Sequence, residues 1–200
     1  MSADGKLGSE LGRRIGEATA AFKTLRALWS HSSIGLPRKL HVFDACVVSR
    51  LAYGLQSACL NKAARNRLDG FQARCLRQIL RIPSSYISRI TNATVVERAQ
   101  ALKVSSRILQ QQMLYFGGVA RRSSDDPVRA AIFQPGSSET VPPPNNRKRG
   151  RPRMSWTPAI RTECLRAVGT HERLSALLQP TPQAGRAWRG AVCKYVHSLQ

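Results

Sequence analysis

Residues 62–83 read KAARNRLDGFQARCLRQILRIP. Leu68, Phe71, Cys75 and Ile79 recur at steps of three and four, which places them on one side of a helix from about Lys62 to Leu80. Ile82-Pro83 ends it, because a residue before proline is pushed out of the helical region. Arg67, Arg74, Arg77 and Arg81 are separated by seven, three and four residues, so they run along another side, opposite or flanking the Phe71 stripe. None of them has an acid four residues away to neutralise it. The segment is an amphipathic rod with one apolar face and one cationic ridge.

The same period extends outward in both directions. Leu11, Ile15, Ala18, Phe22, Leu25 and Trp29 form one stripe on a helix of about five turns. Pro37 suits the first turn of the next helix, whose buried face is Leu40, Phe43, Val47, Leu51 and Leu55, with Gly54 as a close-packing point. Thr91 or Asn92 caps a short helix through Ala99. Ile108, Leu109, Met113 and Phe116 mark another, which is expected to stop at Gly117-Gly118. Residues 134–154 hold five prolines and two glycines and read as exposed linker. Beyond Trp156, two or three helices are anchored by Ile160, Leu165, Leu174, Leu177, Trp188, Val192 and Val196. Strict apolar alternation is hard to find, which argues against a β-sandwich or barrel. The expected fold is all-α: a helical bundle over 1–122, a basic Pro/Gly-rich linker over 123–154 and a small helical tail over 155–200.

The 200 residues carry a formal net charge of +21, and 25 of the 32 basic residues are arginine. Residues 50–122 alone hold thirteen cations against two acids, Asp69 and Glu97. Arginine forks onto phosphate oxygens and stacks on bases. So much self-repulsion implies a polyanionic partner, with nucleic acid the first candidate. The start, MSADGKLGSELGRR, has no apolar core of a secretory signal, and no apolar run approaches the roughly 20 residues that span a bilayer. An intracellular protein, nuclear or cytoplasmic and without a membrane partner, is expected. Five widely spaced cysteines make neither a disulfide framework nor a zinc knuckle, so they read as free thiols on helices.

Residues 147–153, RKRGRPR, add five cations: Arg147, Lys148, Arg149, Arg151 and Arg153. As a nuclear-localisation run the segment needs only clustered cations in an accessible loop. As an AT-hook-like element, Arg149-Gly150-Arg151-Pro152 would lie extended in a narrow minor groove. As a plain basic linker it would touch phosphates without sequence choice, and as a solvated loop it would touch nothing.

Catalytic signatures are missing. Two-metal phosphoryl transfer needs carboxylates aimed at one point. The only adjacent acids, Asp125-Asp126, precede Pro127 and read as the cap of a short helix. His41 and Asp44 have a metal-compatible spacing without further ligands, and no P-loop, zincin or nucleophile-elbow motif is present. No catalytic residue, metal ligand or cofactor is expected.

Six stretches in order, KLGSELGRRIGEATAAFKTL, RLAYGLQSACL, RLDGFQARCLRQILRIP, TNATVVERA, LYFGGVARR and RGRPRMSW, resemble the C-terminal region of non-LTR retrotransposon reverse transcriptases, just beyond the polymerase palm. The likeness covers about residues 6–160. It implies a helical thumb and downstream segment that grips a template–primer hybrid or duplex DNA. By matched position it implies backbone contacts from Arg74, Arg77, Arg149, Arg151 and Arg153. In that family an acid and a Trp often follow the YG pair, where this chain has Gln56, Ser57 and Ala58. A His often stands where this chain has Gly118. The fingers and the aspartate-bearing palm have no counterpart in these residues. The expectation is therefore a non-catalytic, nucleic-acid-binding fragment of a reverse transcriptase, with Arg74, Arg77 and Arg81 and the 147–153 cations as its contacts. Two alternatives remain: a chromatin-associated binder acting through the RGRP segment, and an interaction module whose cations meet an acidic protein.

Overall fold

The computed structural model describes residues 7–142 and 155–199. Among them the fold is all-α. There is no β-sheet, and one isolated antiparallel bridge pairs Phe133 with Thr140. The chain divides into two compact units, Met1–Ile108 and Leu109–Gln200.

In the first unit, α1 (Leu7–Thr24) buries Leu11, Ala18 and Phe22. The expected five-turn helix is interrupted at Leu25, and α2 (Arg26–Ser30) carries Trp29. The break lets Trp29 turn back on α1. Its Nε1 donates to the Phe22 carbonyl at 2.8 Å and its ring stacks on Phe22 at 5.1 Å. Phe43 meets both rings edge-on at 6.0 and 6.5 Å. Phe43 belongs to α3 (Leu36–Phe43), which has Pro37 in its first turn as expected. The helix continues through a wide π turn, Asp44–Val48, into α4 (Ser49–Ala52), so that Val47, Val48 and Leu51 are all buried. Gly54 is closely approached, since a Cβ on it would lie 3.2 Å from Arg14 Nη2. Its φ of +72° reverses the chain after α4, a conformation glycine adopts without strain.

The helix read from residues 62–83 is α5 (Lys62–Ile79), capped by the Asn61 side chain, which accepts from the Ala64 N–H at 2.8 Å. It buries Leu68, Phe71, Cys75, Leu76 and Ile79. After α6 (Ser85–Ser88) and α7 (Asn92–Arg98), whose N-cap is Thr91, the chain enters α8 (Val104–Ala120). Two polar residues of α5 fix the start of α8. Gln72 accepts from the Val104 N–H and donates to the Leu102 carbonyl, each at 2.9 Å. Asp69 accepts from the N–H and hydroxyl of Ser105 at 2.9 and 2.6 Å. These bonds satisfy N–H groups that a helix start leaves without partners.

The second unit begins inside α8, not after residue 122. Met113, Phe116 and Val119 are buried there, and the helix runs past Gly117-Gly118 to Ala120. α9 (Pro127–Ile132) is capped by Asp126, which accepts from Val128 and Arg129 at 2.9 and 3.1 Å, the role expected from sequence. Phe133 follows, fully buried and 5.0 Å from Phe116. Arg129 donates to the Ser137 carbonyl at 3.1 Å, and Arg161 pairs with Glu139 at 2.9 Å. Residues 123–142 are thus built into the second unit, contrary to the linker that composition suggests. One aromatic anchor and two arginine clamps outweigh a run of turn-forming residues. Residues 143–154, including Arg147, Lys148, Arg149, Arg151 and Arg153, lie outside the described residues.

α10 (Trp156–Val168), α11 (His171–Leu177) and α12 (Pro182–Ser198) form the expected helical tail. Ile160, Leu174, Trp188, Val192 and Val196 are buried, while Leu165 and Leu177 are half-buried.

Candidate nucleic-acid interface

The cationic side of α5 borders a surface groove of about 530 Å³ within the first unit. Arg67, Gly70 and Arg74 form its helical wall, and Ser84, Ser85 and Asn92 line it from the following loop. No acidic residue lines it. Arg67 and Arg74 are exposed, and among the described residues neither has a hydrogen-bond or ion-pair partner. They stand two helical turns apart, about 10 Å along the axis. That is roughly the rise of three nucleotides on one strand of a duplex. Gly70 lies between them, and a Cβ placed on it would meet nothing within 4 Å. Packing therefore does not explain this mid-helix glycine; the open floor of the groove is its only visible consequence.

The expected four-arginine ridge does not survive intact. Arg77 is buried, with 6% of its surface exposed. Its Nη1 donates to the Pro83 carbonyl and the Ser88 hydroxyl at 3.0 and 3.3 Å, and its Nη2 to the Ile90 carbonyl and Asn92 Oδ1 at 2.5 and 3.3 Å. These bonds tie the 83–92 loop to α5, so Arg77 positions the groove's second wall and is not available to grip a phosphate strand. Arg81 lies just past the helix end with φ +55°, and the Ile82 N–H closes back on the Arg77 carbonyl at 2.8 Å. Its guanidinium is exposed but donates to the Ser30 carbonyl at 3.0 Å, and it does not line the groove. Of Arg74, Arg77 and Arg81, only Arg74 faces the groove with free donors. Arg67 joins it.

Two neighbouring side chains were not legible as site residues. Tyr86 and Ile87 of α6 are 84% and 71% exposed, directly after the groove-lining Ser84 and Ser85. The only sequence signal is an apolar pair set between serines. An exposed aromatic ring is a surface on which an unpaired base can stack.

The remaining candidates are occupied otherwise. Asp44 accepts both terminal nitrogens of Arg107, at 2.7 and 2.6 Å. Burial pushes the Cys75 thiol up to about 12 and raises Cys164 as well. Among the described residues no group of three or more His, Cys, Asp or Glu side chains is placed to hold a metal ion. No described helix is long and apolar enough to cross a membrane.

No protein-family model, curated protein or solved structure matches this chain.

Proposed function

We propose that the chain binds nucleic acid without transforming it, holding the phosphate backbone of a template–primer hybrid or duplex DNA along the α5 groove. The observation that carries this reading is the unpaired Arg67–Arg74 pair flanking Gly70, opposite hydroxyl and amide side chains. Free guanidinium groups supply charge-assisted bonds to phosphate oxygens, and the serines and Asn92 supply neutral ones. Tyr86 offers a stacking surface for an unpaired base at the groove's edge. A net charge of +21 supplies the long-range attraction.

The ordered likeness to the post-palm region of non-LTR reverse transcriptases supports the same reading, with the chain as a thumb-like piece acting in the nucleus or cytoplasm. Arg74 keeps the backbone-contact role that the likeness implies; Arg77 serves that contact indirectly, by holding the loop.

Fluorescence anisotropy of the full chain with an RNA–DNA hybrid and with duplex DNA tests the proposal. With six to ten phosphates neutralised, affinity falls by roughly 10³–10⁵ between 50 and 200 mM salt. Absent or salt-insensitive binding overturns it, and primer extension by the purified chain with Mg²⁺ overturns the non-catalytic half.

A further inference from the structure

A second cationic recess lies wholly within the second unit. Arg121, just beyond α8, and Arg186 and Arg189 of α12 border a depression of about 660 Å³ that Leu114, Thr181 and Gly185 help to close. No residue lining it is acidic. Three of the unit's five carboxylates are paired elsewhere, Asp126 with Arg122, Glu139 with Arg161, and Glu163 with Arg166 and the Tyr195 hydroxyl, and the other two, Asp125 and Glu172, do not line the recess.

The three guanidinium groups are held unequally. Half-buried Arg121 is fixed by Nη1 donating to the Leu177 carbonyl at 3.2 Å, which leaves its other terminal nitrogen uncommitted among the described residues. Arg189 uses only Nε, toward the Gly185 carbonyl at 3.3 Å. Arg186 is exposed and has no partner among the described residues. α12 passes close to Arg121 at Gly185, where a Cβ would sit in ordinary contact, 3.8 Å from Arg121 Nε. Burial, and secondarily the charge of Arg189, lowers the Arg121 pKa. Like charges gathered around a partly desolvated guanidinium repel one another until an anion enters between them.

We propose that this recess binds a phosphate ester group, with Arg121 as the fixed donor at its back and Arg186 and Arg189 closing on the oxygens from α12. Guanidinium forks match phosphate oxygens in pairs of parallel bonds, which favours a phosphate over a simple halide. The site is separate from the Arg67–Arg74 groove and stands or falls independently of it. The ester is either the phosphomonoester of a free nucleotide or an internal phosphodiester of a strand.

Arginine Nε–Hε resonances of the full chain distinguish these sources when titrated with adenosine 5′-monophosphate and with a short oligothymidylate lacking terminal phosphates. The Arg121, Arg186 and Arg189 signals shift together along one saturation curve. Saturation by the nucleotide alone assigns a soluble ligand, and saturation by the oligomer assigns a strand. Arg186→Ala with Arg189→Ala weakens the binding about tenfold or more, whereas Arg67→Ala with Arg74→Ala leaves this curve in place. Arg186→Ala alone breaks no internal bond and already weakens binding several-fold. Three unmoved signals with both probes, or wild-type affinity in the double α12 variant, overturns the proposal.

Discussion

The indole of Trp188 occupies the space that a side chain on Gly117 would need. A Cβ on Gly117 would lie 2.2 Å from Trp188 Nε1, and that nitrogen donates to the Met113 carbonyl one turn earlier in α8, at 3.2 Å. Glycine here admits a ring against the helix backbone.

Gly117→Ala therefore destabilises the second unit despite alanine's better helix propensity. Trp188 is fully buried, so it has nowhere to retreat without breaking its bond to Met113. Overpacking of this kind costs about 3 kcal/mol. Denaturant unfolding followed by tryptophan fluorescence measures it; a variant as stable as wild type would show that the indole does not sit on Gly117.

Arg77→Met keeps the bulk of the side chain and removes every donor to the 83–92 loop. Leaving the Pro83 and Ile90 carbonyls without their charged donor costs about 2–3 kcal/mol. Hydrogen exchange is expected to quicken in residues 83–92 more than in α5. Uniform loss of protection would contradict a loop-positioning role.

Gly70→Ala separates stability from binding. A mid-helix glycine with open space around it gains about 0.5–1 kcal/mol on replacement by alanine. The same methyl group raises the floor of the groove between Arg67 and Arg74. The melting temperature rises and hybrid-duplex affinity falls. If affinity is unchanged, the groove floor is not a contact surface.

Acid sensitivity has an identifiable contributor in α1. Glu10 accepts from Arg13 and then Arg14, and these bonds hold its carboxyl down from 4.5 to about 2. Because the folded value is depressed, the stabilisation is complete above 4.5 and drains away as pH falls toward 2. Thermal melts of Glu10→Gln and wild type should differ near neutral pH and converge at about pH 2. A constant gap across that range would mean that the charge of Glu10 is not what stabilises.

The sequence made α5 legible because its burial period and Pro83 agree, and the Asn61 cap seen in the structure fits the same start. The error at Gly117 arose because a helical glycine admits two causes, a terminus or a close neighbour, and the neighbour is a tryptophan far along the chain. Phe133 misled similarly: a single aromatic amid prolines and glycines leaves no period to read. Within the site, spacing placed Arg67 and Arg74 on one face. Three residues of helix turn Arg77 about 60° away from Arg74, toward a loop whose position only the fold reveals. Tyr86 sits on a helix too short to carry a pattern.

The most direct test of the α5 grip is the salt dependence of hybrid-duplex binding by the Arg67→Ala/Arg74→Ala variant. Two lost phosphate contacts should weaken binding and flatten the slope of log affinity against log salt by about 2. A variant with wild-type affinity and wild-type slope would contradict the assignment of this face.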